Sequence, residues 1–198
     1  MNRLHLIRHG QTSANAEMRY CGSTDLSLSE AGRKALEERR QRGGYPVPDD
    51  TCAVYTSGMA LTEETLAILY GEIAHGVLHG MREIDFGEFE MHTYEELLHW
   101  ESYQAWLTGD NERNCCPGGE SGEQMQKRVL ETLETLRKGE QDVLLVTHGG
   151  VIAAVMAWLF PVEERTRFDW QPAPGCGYSI TFEKDVPSGF CAIPRSAD

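Results

Sequence analysis

Two histidines stand in the same short context. Leu6-Ile7-Arg8-His9-Gly10 and Leu145-Val146-Thr147-His148-Gly149 each run from apolar residues into a histidine followed by glycine. An imidazole changes charge near neutral pH, so it serves as nucleophile, base or anion partner. Arg8 adds a permanent planar fork beside the first histidine, suited to two oxygens of one anion. Gly10 and Gly149 leave room for backbone N–H groups to approach a ligand closely. These residue types point to chemistry on a small anion. A metal site is the rival reading, but two histidines want a further ligand and Arg8 repels a cation. His75 and His79 are spaced i, i+4, yet Gly76 and Gly80 break the helix that spacing needs, so both read as structural or surface residues.

Each histidine needs an element that delivers it. In open α/β sheets, ligands bind beyond the carboxyl ends of the strands. Residues 4–7 form a short apolar run that reads as a strand, and 143–146 is unbroken apolar, as a central parallel strand should be. Residues 52–55 give another strand, 76–83 a weaker one, and 178–182 and 190–193 closing strands. A helix runs from Ser29, its N-cap, to about Arg42, where Gly43-Gly44 stops it. Further helices are read at 62–70, with Leu61, Thr65, Ile68 and Leu69 inward, at 93–107, at 123–138 behind Ser121, and at 151–160. The 151–160 helix would aim its first N–H groups at the place where His148 lies. Residues 11–28 read as a long loop, and 108–122, with Pro117-Gly118-Gly119, as a mobile one. Strands alternating with helices imply a three-layer α/β sandwich on a mostly parallel sheet, with residues 1–198 as a single domain.

Charge and composition exclude several classes. The 198 residues carry a net charge of −13, which argues against nucleic-acid binding. The charge is uneven: residues 1–42 hold eight basic and five acidic groups, so a small anion could sit in this locally basic segment. No apolar run of about 18 residues exists, so no membrane span is expected. The first residues turn charged again at Arg8, leaving an apolar run too short for a signal peptide, and the expected compartment is the cytoplasm. The six cysteines include no C-x-x-C pair and read as free thiols. There is no P-loop, no G-x-S-x-G elbow and no G-x-G-x-x-G. A homo-oligomer is compatible with the pattern, which does not specify one.

Leu6-Ile7-Arg8-His9-Gly10-Gln11-Thr12 is similar to the signature of the histidine phosphatase superfamily, the phosphoglycerate mutase-like proteins. Asn15, the block Asp25-Leu26-Ser27-Leu28-Ser29-Glu30-Ala31-Gly32, the segment Glu83-Ile84-Asp85-Phe86-Gly87 and Thr147-His148-Gly149-Gly150 follow in the family's order. The resemblance implies a phosphoglycerate mutase-like fold and a cofactor-independent phosphomonoester hydrolase without metal, acting on a small phosphorylated metabolite. It implies His9 as the nucleophile that carries a phosphohistidine, with Arg8 and His148 clamping the phosphoryl oxygens. Glu83 becomes the acid and then the base, Asp85 and Glu88 the fallback acids, and Thr12 and Asn15 supporting polar contacts. Stretches such as 86–91, 102–106 and 117–121 resemble the α-ribazole-5′-phosphate phosphatases of cobalamin biosynthesis, which makes α-ribazole 5′-phosphate the expected substrate. A generic small-molecule phosphatase and a phosphoglycerate mutase are the alternatives.

One block departs from the family. Ser57-Gly58-Met59-Ala60-Leu61-Thr62 keeps Ser57 and Thr62 in register, but Leu61 stands where a phosphate-binding arginine is expected. A lost charged hydrogen bond is worth about 1.5–3 kcal/mol. The departure implies that Arg19 or Arg82 supplies the second guanidinium, or that the chain binds a phospho-ligand without turning it over. It also implies that the Leu61 side chain borders the phosphate.

Overall fold

The computed structural model describes residues 1–110, 112–162 and 166–195. One sheet of six strands takes β1 (Arg3–Arg8), β2 (Ala53–Thr56), β3 (Gly76–Val77), β4 (Val143–Thr147), β5 (Gly177–Glu183) and β6 (Val186–Ile193) in the order β3-β2-β4-β1-β5-β6. The first four are mutually parallel, and β5 and β6 run antiparallel at one side. This is the mixed, helix-flanked sheet of the phosphoglycerate mutase-like fold.

The period-2 geometry of the strands explains both apolar layers. Leu4 and Leu6 of β1 with Val143 and Leu145 of β4 enter one core, against α6 (Gly122–Arg137) and α7 (Gly149–Leu159). Ile7, Leu144 and Val146 enter the other, against α2 (Glu30–Arg42) and α3 (Ala60–Tyr70). All five residues of β4 are buried, which is why this strand reads as an unbroken apolar run. Ser29 caps α2 by accepting from the Gly32 N–H, and Ser121 caps α6 through a capping box with Gln124.

Four expectations need correction. Residues 11–28 include a short helix, α1 (Ser13–Ala16), closed by a capping box between Thr12 and Asn15. Of 76–83, only Gly76–Val77 pairs as a strand, and a 3₁₀ turn follows at His79–Met81. The expected helix 93–107 is broken at Trp100 into α4 (Tyr94–Leu97) and α5 (Glu101–Leu107). Leu97 and Tyr103 both enter a third cluster around Phe89 and Cys116, and six residues of unbroken helix would point them about 120° apart. The stretch 108–122, whose Asn111 lies outside the described residues, is tied down. The Trp106 indole donates to Asn114 O, the Asn114 amide donates to Trp106 O and Thr108 O, and Glu120 N donates to Asp85 O.

Leu61 does not reach the cavity that Arg8 and His9 line. It is 3% exposed, packed with Ile7, Leu28, Leu36 and Leu66, and is absent from the lining of the central cavity. Its carbonyl accepts from the Thr65 hydroxyl, which in turn accepts from Gly10 N. Position 61 thus stabilises the turn after β1 from within the core.

Candidate active site

Parallel pairing sets the two histidines side by side. Arg8 of β1 lies opposite Thr147 of β4, and His9 N donates to Thr147 O at 2.9 Å. The two imidazoles meet edge to face with centroids 5.3 Å apart. His9 is 6% exposed and His148 1%, so His9 faces the cavity and His148 backs it.

Hydrogen bonds choose the tautomers. His9 Nδ1 lies 2.7 Å from Gly10 O, a pure acceptor, so Nδ1 carries the proton and Nε2 keeps its lone pair. His148 Nε2 lies 2.8 Å from Ser57 Oγ, and Ser57 Oγ 3.1 Å from Thr62 Oγ1, which donates to Met59 O at 2.8 Å. Because the chain ends on a carbonyl, each hydroxyl's single proton points toward Met59, and His148 Nε2–H donates into it. The other ring nitrogen, Nδ1, is then where His148 takes up a second proton. Ser57 and Thr62 were visible in the sequence as a register, but their hydroxyl relay was not.

Burial holds both rings neutral. It is the largest cause lowering His9 to about 4, with a smaller contribution from the Arg8 charge, against the Gly10 carbonyl. His148 is pushed well below the ordinary histidine range by burial first, then by His9, Arg128, Arg8 and Arg82. A nucleophilic imidazole must be neutral, and His9 meets that condition at pH 7. The same shift governs stability. Between the unfolded value of 6.5 and about 4, the unfolded chain binds more protons at this site than the folded one. Stability is therefore full above 6.5 and falls as pH drops through that window, by up to about 3 kcal/mol for His9 alone. Urea midpoints from pH 7 to 4.5 should fall less steeply in His9→Ala than in the wild type. Identical slopes would mean His9 titrates normally.

Arg8 spans the mouth of the two strands. Its Nη1 donates to Pro172 O at 2.7 Å, while its buried Nε has no partner among the described residues and is available to an anion. Gly149 makes this possible: a Cβ there would stand 3.1 Å from Arg8 Cζ and 2.6 Å from the Gln171 amide nitrogen. Gln171, which lines the same cavity, carries no signal in the sequence. Glu83 reaches the site from the segment after β3. Its Oε2 accepts from Gly150 N at 2.8 Å, at the N-terminus of α7, and its Oε1 from Ile84 N at 3.1 Å.

The supporting contacts divide. Thr12 is buried, accepts from Asn15 N and serves α1 rather than the cavity; Asn15 lines the cavity. Arg19 also lines it, but its guanidinium is committed to Glu17, Glu96 and Met91 O. Arg82 is exposed and donates to Ser57 O at 3.2 Å, outside the lining. Asp85 accepts from Ser23 and from Gly87 N, and Glu88 is exposed, so Glu83 is the carboxylate in the cavity floor. Among the described residues no three His, Cys, Asp or Glu side chains converge as metal ligands. The six cysteines are unpaired.

The cavity above this floor measures about 550 Å³. Tyr20, Phe86, Trp106 and Phe168 give it aromatic walls, and an Arg167–Glu112 ion pair at 2.8 Å stands in its side. No helix among the described residues is long and apolar enough to cross a membrane.

Facing imidazoles and a guanidinium at the carboxyl ends of adjacent parallel strands, with a carboxyl group held on a helix amide beside them, suit phosphoryl-group chemistry. The chain belongs to the histidine phosphatase superfamily, whose branch 1 model matches residues 4–188. It is 28% identical to an adenosylcobalamin/α-ribazole phosphatase of Salmonella typhimurium, over 96% of this chain and 94% of that protein. It is 32% identical to an acid phosphatase of Mycobacterium tuberculosis, over 84% and 81%. Among solved structures, the α-ribazole phosphatase from Shigella flexneri shares the fold with a TM-score of 0.82 at 23% identity, covering 94% of this chain and 93% of that one. A phosphoglycerate mutase from Thermus thermophilus superposes with a TM-score of 0.68 at 28% identity, over 96% and 99%.

Proposed function

We propose that the chain, acting as one domain, is a cofactor-independent phosphomonoester hydrolase working through a phosphohistidine on His9. The carrying observation is His9, whose Nδ1 is held by the Gly10 carbonyl so that Nε2, with no hydrogen-bond partner among the described residues, stands beside Arg8, His148 and Glu83. In the first step Nε2 attacks phosphorus, the ester P–O bond breaks, and Glu83 gives its proton to the departing oxygen. Arg8 and His148, which takes up a proton from solvent at Nδ1 as the dianion arrives, hold the equatorial oxygens. In the second step water attacks phosphorus, Glu83 takes its proton, and the N–P bond breaks to release phosphate and neutral His9.

The substrate we favour is α-ribazole 5′-phosphate. The Salmonella typhimurium relative, aligned nearly end to end, supports it. So does the cavity: about 550 Å³ with aromatic walls suits a flat, bulky alcohol, and a three-carbon phosphoglycerate would leave most of it empty. A broader small-molecule phosphatase is the second reading, favoured by the likeness to an acid phosphatase. Phosphate release from α-ribazole 5′-phosphate, nitrophenyl phosphate, phosphoserine and 3-phosphoglycerate, with chelator present, tests this. The α-ribazole ester should be turned over most efficiently, and chelator should change no rate, because guanidinium, imidazolium and helix amides supply the positive field. Activity lost to chelator and restored by magnesium or zinc would overturn the assignment. Comparable efficiency on all four esters would leave only the broader reading.

A further inference from the structure

The turn Pro117-Gly118-Gly119-Glu120-Ser121 has no part in the chemistry above, yet it is docked on the segment that carries Glu83. Glu120 N donates to Asp85 O at 2.8 Å, Glu120 Oε2 accepts from Asp85 N at 3.1 Å, and Glu88 N donates to Pro117 O at 2.9 Å. The approach is so close that a Cβ on Gly119 would stand 2.4 Å from Asp85 O. Arg128, one and a half turns into α6, completes the frame. Its Nε and Nη2 fork grips both Glu120 carboxylate oxygens, at 2.8 and 2.7 Å. The same guanidinium donates to three carbonyl groups of the incoming chain: Gly80 O at 3.1 Å, Arg82 O at 2.7 Å and Glu83 O at 2.7 Å.

We propose that Arg128, with Glu120 as its counter-ion, is the positioning residue of the acid: it fixes the backbone of Glu83 so that the carboxyl group meets Gly150 N and the departing oxygen. This rests on the reading of Glu83 as the acid. The carboxyl group is held at one end by α7, and the backbone behind it at the other by Arg128. Five donors in one rigid plane serve four acceptor groups, which an ammonium cannot reproduce. The arrangement explains why a glycine-rich turn stands far from the histidines in sequence and directly behind the acid in space.

Proton donation matters most when the leaving oxygen is basic, so positioning should be read from leaving groups. With enzyme in excess over substrate, leaving-group release reports the first step alone. Arg128→Lys should slow release of an alkyl alcohol about ten- to hundredfold and release of nitrophenol less than threefold, with half-saturating concentrations within twofold of wild type. Glu120→Gln, which keeps the acceptor for Asp85 N but loses the charge, should show the same selectivity more weakly. It carries the test alone if Arg128→Lys does not fold by circular dichroism. Equal losses on both esters, or no loss on either, in a folded variant would overturn the proposal. Glu83→Gln measured alongside separates the two readings. If Glu83→Gln discriminates between the esters and the frame variants do not, only the positioning role falls. If Glu83→Gln does not discriminate, the acid assignment falls and the positioning role with it.

Discussion

His9→Ala loses phosphomonoester hydrolysis by on the order of 10⁴-fold or more, because the two-step path disappears with its nucleophile. The fold survives the change. His9 sits at the end of β1 beside the cavity, its backbone N–H still bonds Thr147 O, and the strand's core contacts at Leu4, Leu6 and Ile7 are untouched. Wild-type enzyme quenched during turnover should retain labelled phosphoryl groups, at no more than one per chain. The label should be lost in acid and kept in alkali, as expected of an N–P bond and not of a phosphate ester. His9→Ala should retain none. Hydrolysis by a folded His9→Ala near the wild-type rate would remove the phosphohistidine mechanism. A label stable to acid would move the nucleophile to an oxygen.

The parts of this site that were legible in the sequence are those governed by local rules. His9 and His148 each end an apolar strand and precede glycine, and parallel pairing of β1 with β4 makes the two ends adjacent. Ser29 and Ser121 mark helix starts because their hydroxyls take backbone N–H groups a few residues on. What escaped depends on contacts between distant segments. The substitution at Leu61 suggested an apolar wall beside the phosphate, but α3 turns that position into the core formed with Ile7 and Leu36. The aromatic stretch 93–107 has helical composition throughout. Its break at Trp100 arises because Leu97 and Tyr103 share one pocket around Phe89, a tertiary demand that overrides propensity. The turn 117–121 looked mobile because glycine and proline punctuate loops. Here a glycine lets two backbones touch, and the contact is visible only once α6 delivers Arg128 to the same place. The frame that holds an acid in place is built from carbonyl groups, which every sequence has, so residue types alone do not reveal it.

Glu83→Gln separates the two steps of the reaction. The amide is isosteric and its Oε1 can still accept from Gly150 N, so geometry is retained while the transferable proton is lost. An alkyl phosphate expels a strongly basic alkoxide and needs that proton. Its first step should slow by on the order of 10²–10⁴-fold, the usual contribution of general acid catalysis. Nitrophenolate leaves without help, so its release with enzyme in excess should fall only a few-fold. The second step has no such escape, because water must give up a proton whichever ester supplied the phosphoryl group. With nitrophenyl phosphate in excess, the variant should therefore release about one nitrophenol per chain rapidly and then turn over slowly, with the phosphohistidine accumulating on His9. A wild-type steady state without a burst would show that Glu83 deprotonates nothing. Equal slowing of alkyl and nitrophenyl release in the first step would show that it protonates nothing. The burst and the leaving-group selectivity thus test the base and acid roles of one carboxyl group independently. Both roles require Glu83 to stay fixed by Gly150 N while the group on its other oxygen changes from ester to water.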